Sequence, residues 1–236
     1  GFCPLNDLAV AVGVLRLRGL VERVLIVDLD YHQGDGTAQI FSDDEQVFTL
    51  SLHGQTWVDL SAKRNNIDVQ LPRRIADRAY LQLVRETLGE ALDSFRPQLA
   101  LYVAGADPAR GDRFGDVGIS EQALLSRDLH VSRTLAAARV PMAVVLGGGY
   151  GALAWSIPFN FIYSLLTGSP PSERLRPSNI SARYQRIHQS LSPYELGQED
   201  ENLDDGELLA QLHGRSVDSG RFLGFYTREG LELALE

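Results

Sequence analysis

The chain has 236 residues, 44% of them hydrophobic, with a formal net charge of -9. That length suits one large domain, or a domain with a tail, and the apolar fraction is enough for a buried core. No run approaches the roughly 18 apolar residues of a membrane span, no signal peptide is read at the start, and the acidic balance argues against non-specific nucleic-acid binding. The negative charge is compatible with a cationic substrate or a basic partner, and equally with plain solubility. Arg outnumbers Lys 21 to 1, which reads as genome composition. One cysteine, Cys3, excludes an internal disulfide framework and points to a reducing, cytoplasmic setting.

In chain order, Asp7 to Gly19 reads as a helix, with apolar Leu8, Val12 and Leu15 and a glycine stop. Arg23 to Asp28 is a continuous apolar run, as in a strand buried on both faces of a parallel sheet. A glycine-rich turn and a short helix, Thr37 to Phe41, follow. Val47 to Leu52 and Ile67 to Leu71 are further strands. Ala76 to Phe95 is a long amphipathic helix stopped by Pro97. Gln98 to Ala104 is another buried strand. Ser120 is a good N-cap for a helix ending near Arg139. Pro141 to Gly147 reads as a buried strand, and Ala152 to Leu166 as a helix broken near Pro158.

Strands thus alternate with helices, so the fold class is α/β, with a mainly parallel sheet and helices on both faces. Ligands of such sheets bind at the carboxyl ends of the strands. The loops after Asp28, Leu52, Ala104 and Leu146 are expected to converge. After Gly168 the character changes. Ser169 to Ser178 is a Pro/Ser-rich linker, Glu195 to Glu207 carries seven acidic and no basic residues, and Gly220 to Glu236 regains order signals.

The sharpest chemistry lies in Asp28-Leu29-Asp30-Tyr31-His32, then Gln33-Gly34-Asp35-Gly36. Alternation along a strand lets Asp30 and His32 project together, which is half of a metal site. Asp107, after the strand ending at Ala104, completes a set of two carboxylates and one imidazole. Three protein ligands leave a position open for water and substrate, the arrangement of a catalytic zinc. Each cluster alone also reads as a polar strand end. In Leu146-Gly147-Gly148-Gly149-Tyr150-Gly151 the glycines permit close backbone approach, and the Tyr150 phenol is placed to donate to a developing oxyanion. A simple turn with a packed aromatic is the plainer reading. No Lys with Ser or Thr follows, so the element is not a phosphate loop.

Together GFCPLND, DLDYHQGDG, GADPARGDRFG and LGGGYG, in this order over roughly residues 1–166, resemble the histone deacetylase family, and its bacterial and class IV members most. The resemblance implies the three-layer arginase-deacetylase α/β fold and a zinc-dependent deacetylase acting on acetylated lysine or acetylated polyamine; charge and hydropathy, as above, argue against nucleic acid or membrane as partner. It implies Asp30, His32 and Asp107 as ligands of Zn²⁺, with Fe²⁺ also acceptable to this donor set, and Tyr150 as the transition-state tyrosine. Gly1 and Phe2 match the substrate tunnel, with Gly148 and Gly149. Asp28 and Asp35 match carboxylates that orient catalytic histidines. Asp28, Asp30, His32, Ser51 and Leu52 match a structural K⁺ site.

The family places two adjacent histidines before GFC. The five histidines here, His32, His53, His130, His188 and His213, include no such pair. The chain begins with Gly rather than Met. The expectation is a C-terminal part of a deacetylase domain over residues 1–168, lacking its general base, then linker, acidic segment and extension over 169–236. His53 reads as a satisfied loop histidine, with an approach to the rim for packing or substrate contact as the alternative, and Trp57 is expected to line the tunnel mouth. Two rival classes are an arginase-like ureohydrolase with two metals and a non-catalytic binding module of the same fold. Gly34 stands where a ureohydrolase has a further Asp, which weighs against the first.

Overall fold

The computed structural model describes residues 5–151 and 154–171. The chain divides into two units, Gly1–Ser181 and Ala182–Glu236, and every described residue belongs to the first. Gly1, Phe2, Cys3, His188, His213 and the tail segments lie outside the described residues.

Ten elements follow in order: α1 (Asp7–Leu17), β1 (Val24–Asp28), α2 (Asp35–Ile40), β2 (Val47–His53), β3 (Asn66–Gln70), α3 (Asp77–Phe95), β4 (Leu99–Ala104), α4 (Glu121–Ala137), β5 (Met142–Leu146) and α5 (Ser156–Thr167). The strands form one parallel sheet in the order β3-β2-β1-β4-β5. In β1, Leu25 and Val27 face a core shared with Tyr80, Val84 and Leu88 of α3, Leu124 and Val131 of α4, and Phe161 of α5. Val24 and Ile26 point the other way, onto Leu8 and Val12 of α1. This is why Val24 to Val27 of β1 are all apolar: both faces are covered, the condition for a parallel sheet. The three-layer reading holds.

Local signals account for most element ends. Gly19 takes φ 66° just past α1, the left-handed stop that costs glycine least. Arg96 ends α3 in the same region, and Pro97 prevents continuation. Ser120 caps α4: its Oγ accepts from Ala123 N at 3.1 Å and donates to Asp77 Oδ2 at 2.6 Å. The cap therefore also ties the first turn of α3 to α4. Ser120→Ala is expected to cost about 1–2 kcal/mol in urea unfolding, and an unchanged midpoint would show that the cap is redundant.

Three sequence expectations are corrected. Pro158 does not break α5; it is the third residue of the helix, where its missing N–H has no intrahelical partner to lose. The helix begins at Ser156 instead of Ala152. β5 is not buried: Ala143 and Val144 are exposed and Leu146 is 62% exposed, because β5 is the sheet edge and has no second strand neighbour among the described residues. His53 is no rim residue. It ends β2, is fully buried, and bonds Ser51 Oγ and Thr56 Oγ1, each at 3.0 Å. Burial lowers its pKa, so it sits neutral in this polar pocket.

Candidate metal centre

The last register pair of β1 sets Asp28 opposite Ser51 of β2 and Val103 of β4. Beyond it the chain leaves the ladder, and the expected loops converge. His32 makes an isolated parallel bridge to Gln55 after β2. Tyr31 N donates to Asp107 Oδ1 at 2.8 Å after β4. Gly148 N, after β5, donates to Asp30 Oδ2 at 2.5 Å. The alternation read from the sequence extends past the strand end: Asp28, Asp30 and His32 line one cavity of about 540 Å³, with Asp35, Gly149 and Tyr150.

Asp30, His32 and Asp107 each offer a ligand atom, and these atoms lie within 4.8 Å of one another. His32 Nδ1 is 3.0 Å from Asp30 Oδ1 and 2.9 Å from Asp107 Oδ2. Asp107 is wholly buried. Its Oδ2 has no hydrogen-bond donor despite the nearby ring nitrogen. A buried carboxylate oxygen without a donor is costly unless something positive completes it. With two carboxylates and an imidazole converging, the residues fit a divalent cation, and oxygen and nitrogen donors suit zinc or iron(II).

The electrostatics agree. Burial, then the charge of Asp30, pushes the Asp107 carboxyl up to about 7. Burial also works against ionised Asp30, but bonds from His32 and Gly148 outweigh it and hold Asp30 below the usual carboxylate range. The bond to Asp30 raises His32, against burial. Asp28 is raised to about 7 by burial, then by Asp30. A cation must displace the protons that Asp107 and His32 retain. Affinity for a divalent ion is therefore expected to rise with pH through about 7, with proton release measurable by calorimetry in buffers of different ionisation enthalpy. An affinity flat between pH 5.5 and 8 would mean that Asp107 is not titrating there.

The glycine-rich exit of β5 earns its composition at Gly147 and Gly148. A Cβ on Gly147 would stand 2.7 Å from Asp30 Oδ2, and one on Gly148 would collide with Asp107 Oδ2. Only bare backbone fits against the two carboxylates. Tyr150 stands edge-on to His32 with ring centroids 6.1 Å apart. Trp57, 46% exposed, lies with its ring centroid 5.7 Å from that of His32. Ser51 and Leu52 are buried next to Asp28, but the Ser51 hydroxyl already meets Gly34 N and His53.

Several residues within the quoted motifs had no role assigned from the sequence. Asp112 accepts from Tyr150 N at 2.7 Å and Gly151 N at 3.0 Å through Oδ2, and from Phe114 N at 2.9 Å and Gly115 N at 3.2 Å through Oδ1. It clamps the tyrosine loop to the loop after β4. Phe114, 56% exposed, stacks edge-on against Tyr150 at 4.8 Å. Buried Gln33 accepts from Trp57 N and Val58 N and donates to Val58 O and Asp68, fixing the loop after β2. All three sit within the motifs DLDYHQGDG and GADPARGDRFG, but nothing in the local pattern marked what each would bond or touch.

At its strand ends the parallel α/β/α sheet thus gathers a carboxylate–imidazole–carboxylate cluster beside a glycine-rich turn and a tyrosine. The family described as the histone deacetylase domain matches residues 1–157, and the chain belongs to that family. It is 45% identical over 150 residues to an uncharacterized protein of Picosynechococcus sp., covering 64% of this chain and 50% of that protein. It is 33% identical over 153 residues to histone deacetylase 2 of Arabidopsis thaliana, covering 64% and 40%. Among solved structures, an HDAC homolog from Aquifex aeolicus superposes with a TM-score of 0.67 at 26% identity, over 89% of this chain and 56% of that one. Acetylpolyamine aminohydrolase from Burkholderia pseudomallei gives 0.61 at 25% identity, over 71% and 51%. The chain spans about half the length of the relatives it matches. No helix among the described residues is long and apolar enough to cross a membrane.

Proposed function

We propose that this domain hydrolyses an acetylated amine, of the acetyl-lysine or acetylpolyamine type, and releases acetate. The observation that carries the reading is the convergence of Asp30, His32 and Asp107 with an orphaned buried oxygen on Asp107. These three residues hold one zinc ion, with iron(II) as the alternative. The chemistry such an ion supplies is acidification of a water and polarisation of an amide carbonyl.

The chain's own groups do the rest. Asp30 and Asp107 bring negative charge to one point. The Gly147-Gly148 backbone leaves room beside them. Tyr150 donates a hydrogen bond to the tetrahedral oxyanion, held in place through its backbone by Asp112. Phe114 and Trp57 flank the entrance and shed water from the acyl group. Asp28 and Asp35 line the same cavity and would orient the histidines of the family's catalytic pair. Asp28, Asp30, His32, Ser51 and Leu52 hold a structural potassium ion through carboxylate, carbonyl and hydroxyl oxygens.

The test combines metal stoichiometry with turnover. One catalytic zinc per chain is expected, together with acetate release from an acetyl-lysine peptide or an acetylated polyamine by a form spanning the family's full length. Two manganese ions per chain with urea release would replace the reading by a ureohydrolase, and metal uptake without turnover on either substrate would leave a binding module.

A further inference from the structure

Arg127 heads the fully buried side chains by volume. It lies on α4, far in sequence from any motif, and an ion at that depth carries a heavy desolvation penalty that apolar packing would avoid. Each of its three nitrogens donates a hydrogen bond. Nε donates to Asp128 Oδ1 at 2.7 Å. One terminal nitrogen donates to the Leu29 carbonyl at 3.1 Å and to the Tyr80 hydroxyl at 3.4 Å. The other donates to the Gly105 carbonyl at 2.9 Å. Tyr102 donates its hydroxyl to the same Asp128 oxygen, which anchors the pair beneath β4.

The two carbonyls are the informative partners. Leu29 immediately precedes Asp30, and Gly105 stands two residues before Asp107. Both lie one residue past the ends of β1 and β4; Leu29 N still donates to Val103 O at 3.1 Å, but the carbonyls of Leu29 and Gly105 point to the guanidinium instead of to a neighbouring strand. A planar fork with five donors bridges two acceptors in a fixed geometry; an ammonium does not.

We infer that Arg127 is a positioning residue for the metal centre: by holding the Leu29 and Gly105 carbonyls in one guanidinium fork, it sets the separation of Asp30 and Asp107. The inference rests on those two carboxylates being metal ligands. Asp128 holds the guanidinium, and α4 thereby acts as a rigid strut behind the site. Residues behind metal ligands commonly tune affinity in this way.

Titration of the metal-free chain with Co²⁺, followed by visible absorption and with folding monitored by circular dichroism, tests this. Arg127→Lys keeps a cation opposite Asp128 but gives up the fork. Tyr102→Phe loosens the anchor and touches neither carbonyl. Arg127→Lys is expected to stay folded, to bind Co²⁺ roughly 10–100-fold more weakly, and to shift the absorption bands that report coordination geometry. Tyr102→Phe is expected to lose thermal stability while titrating like the wild type. Equal affinity and spectrum in Arg127→Lys would overturn the inference. So would an equal loss in Tyr102→Phe, or an Arg127→Lys chain that unfolds where Tyr102→Phe does not, since either makes the network structural only. A wild-type chain that takes up no Co²⁺ at all would instead remove the metal reading beneath it.

Discussion

Asp107→Asn is expected to lower affinity for zinc or cobalt by more than about 100-fold, beyond the roughly 10–100-fold typical of residues that only support a ligand. The substitution preserves volume and leaves Oδ1 to accept from Tyr31 N, so the loop keeps its bond. What disappears is the charge of a fully buried group whose other oxygen has no donor. The same substitution should stabilise the metal-free chain at pH 8. The Asp107 carboxyl rises from 3.8 to about 7 on folding. The unfolded chain therefore loses this proton more readily, and folding is penalised progressively as pH rises from about 4 to 7. That rise corresponds to at most on the order of 4 kcal/mol, relieved by Asn above pH 7 and absent below pH 4. Calorimetric titration reads the first effect and thermal unfolding across pH the second. Unchanged metal affinity would remove Asp107 from the site.

Tyr150→Phe is the second large effect: a kcat lower by roughly 10²–10³-fold, the typical cost of losing an oxyanion donor, with KM nearly unchanged. The variant is structurally conservative. Asp112 holds position 150 through the backbone N–H, and the ring contact with Phe114 at 4.8 Å needs no hydroxyl. A donor that acts only on the tetrahedral species affects kcat and kcat/KM together. Steady-state kinetics on an acetyl-lysine peptide, with a form spanning the family's full length, provide the measurement. A near wild-type kcat would take the phenol out of the mechanism, and a raised KM alone would make Tyr150 a binding residue.

The wider site shows where local pattern stops being informative. Asp30 and His32 are two residues apart, and their convergence follows from alternation even beyond the last ladder pair. Asp107 is 75 positions further on. Its place could be inferred only because parallel strands deliver their loops to one end of a sheet, and because four motifs resemble one family in order. Asp112 and Phe114 sit within a quoted motif, yet their roles toward Tyr150 depend on how two loops meet. Gln33 and Arg127 look like ordinary polar residues of a turn and a helix until their buried partners are seen.

The sequence by itself determined the α/β rhythm, the parallel sheet, the Ser120 cap, the glycine and proline stops, and the three residues able to hold a cation. Each of these follows from side-chain periodicity or from backbone restrictions that act within a few residues. Only the tertiary structure decided that β5 is an exposed edge, that His53 is sealed in a polar pocket, that Pro158 falls harmlessly in a first turn, and that a buried arginine spans the ends of β1 and β4. Those outcomes depend on which distant segment lies alongside, and the free energy of burying or exposing a group is set by that neighbour rather than by the residue itself.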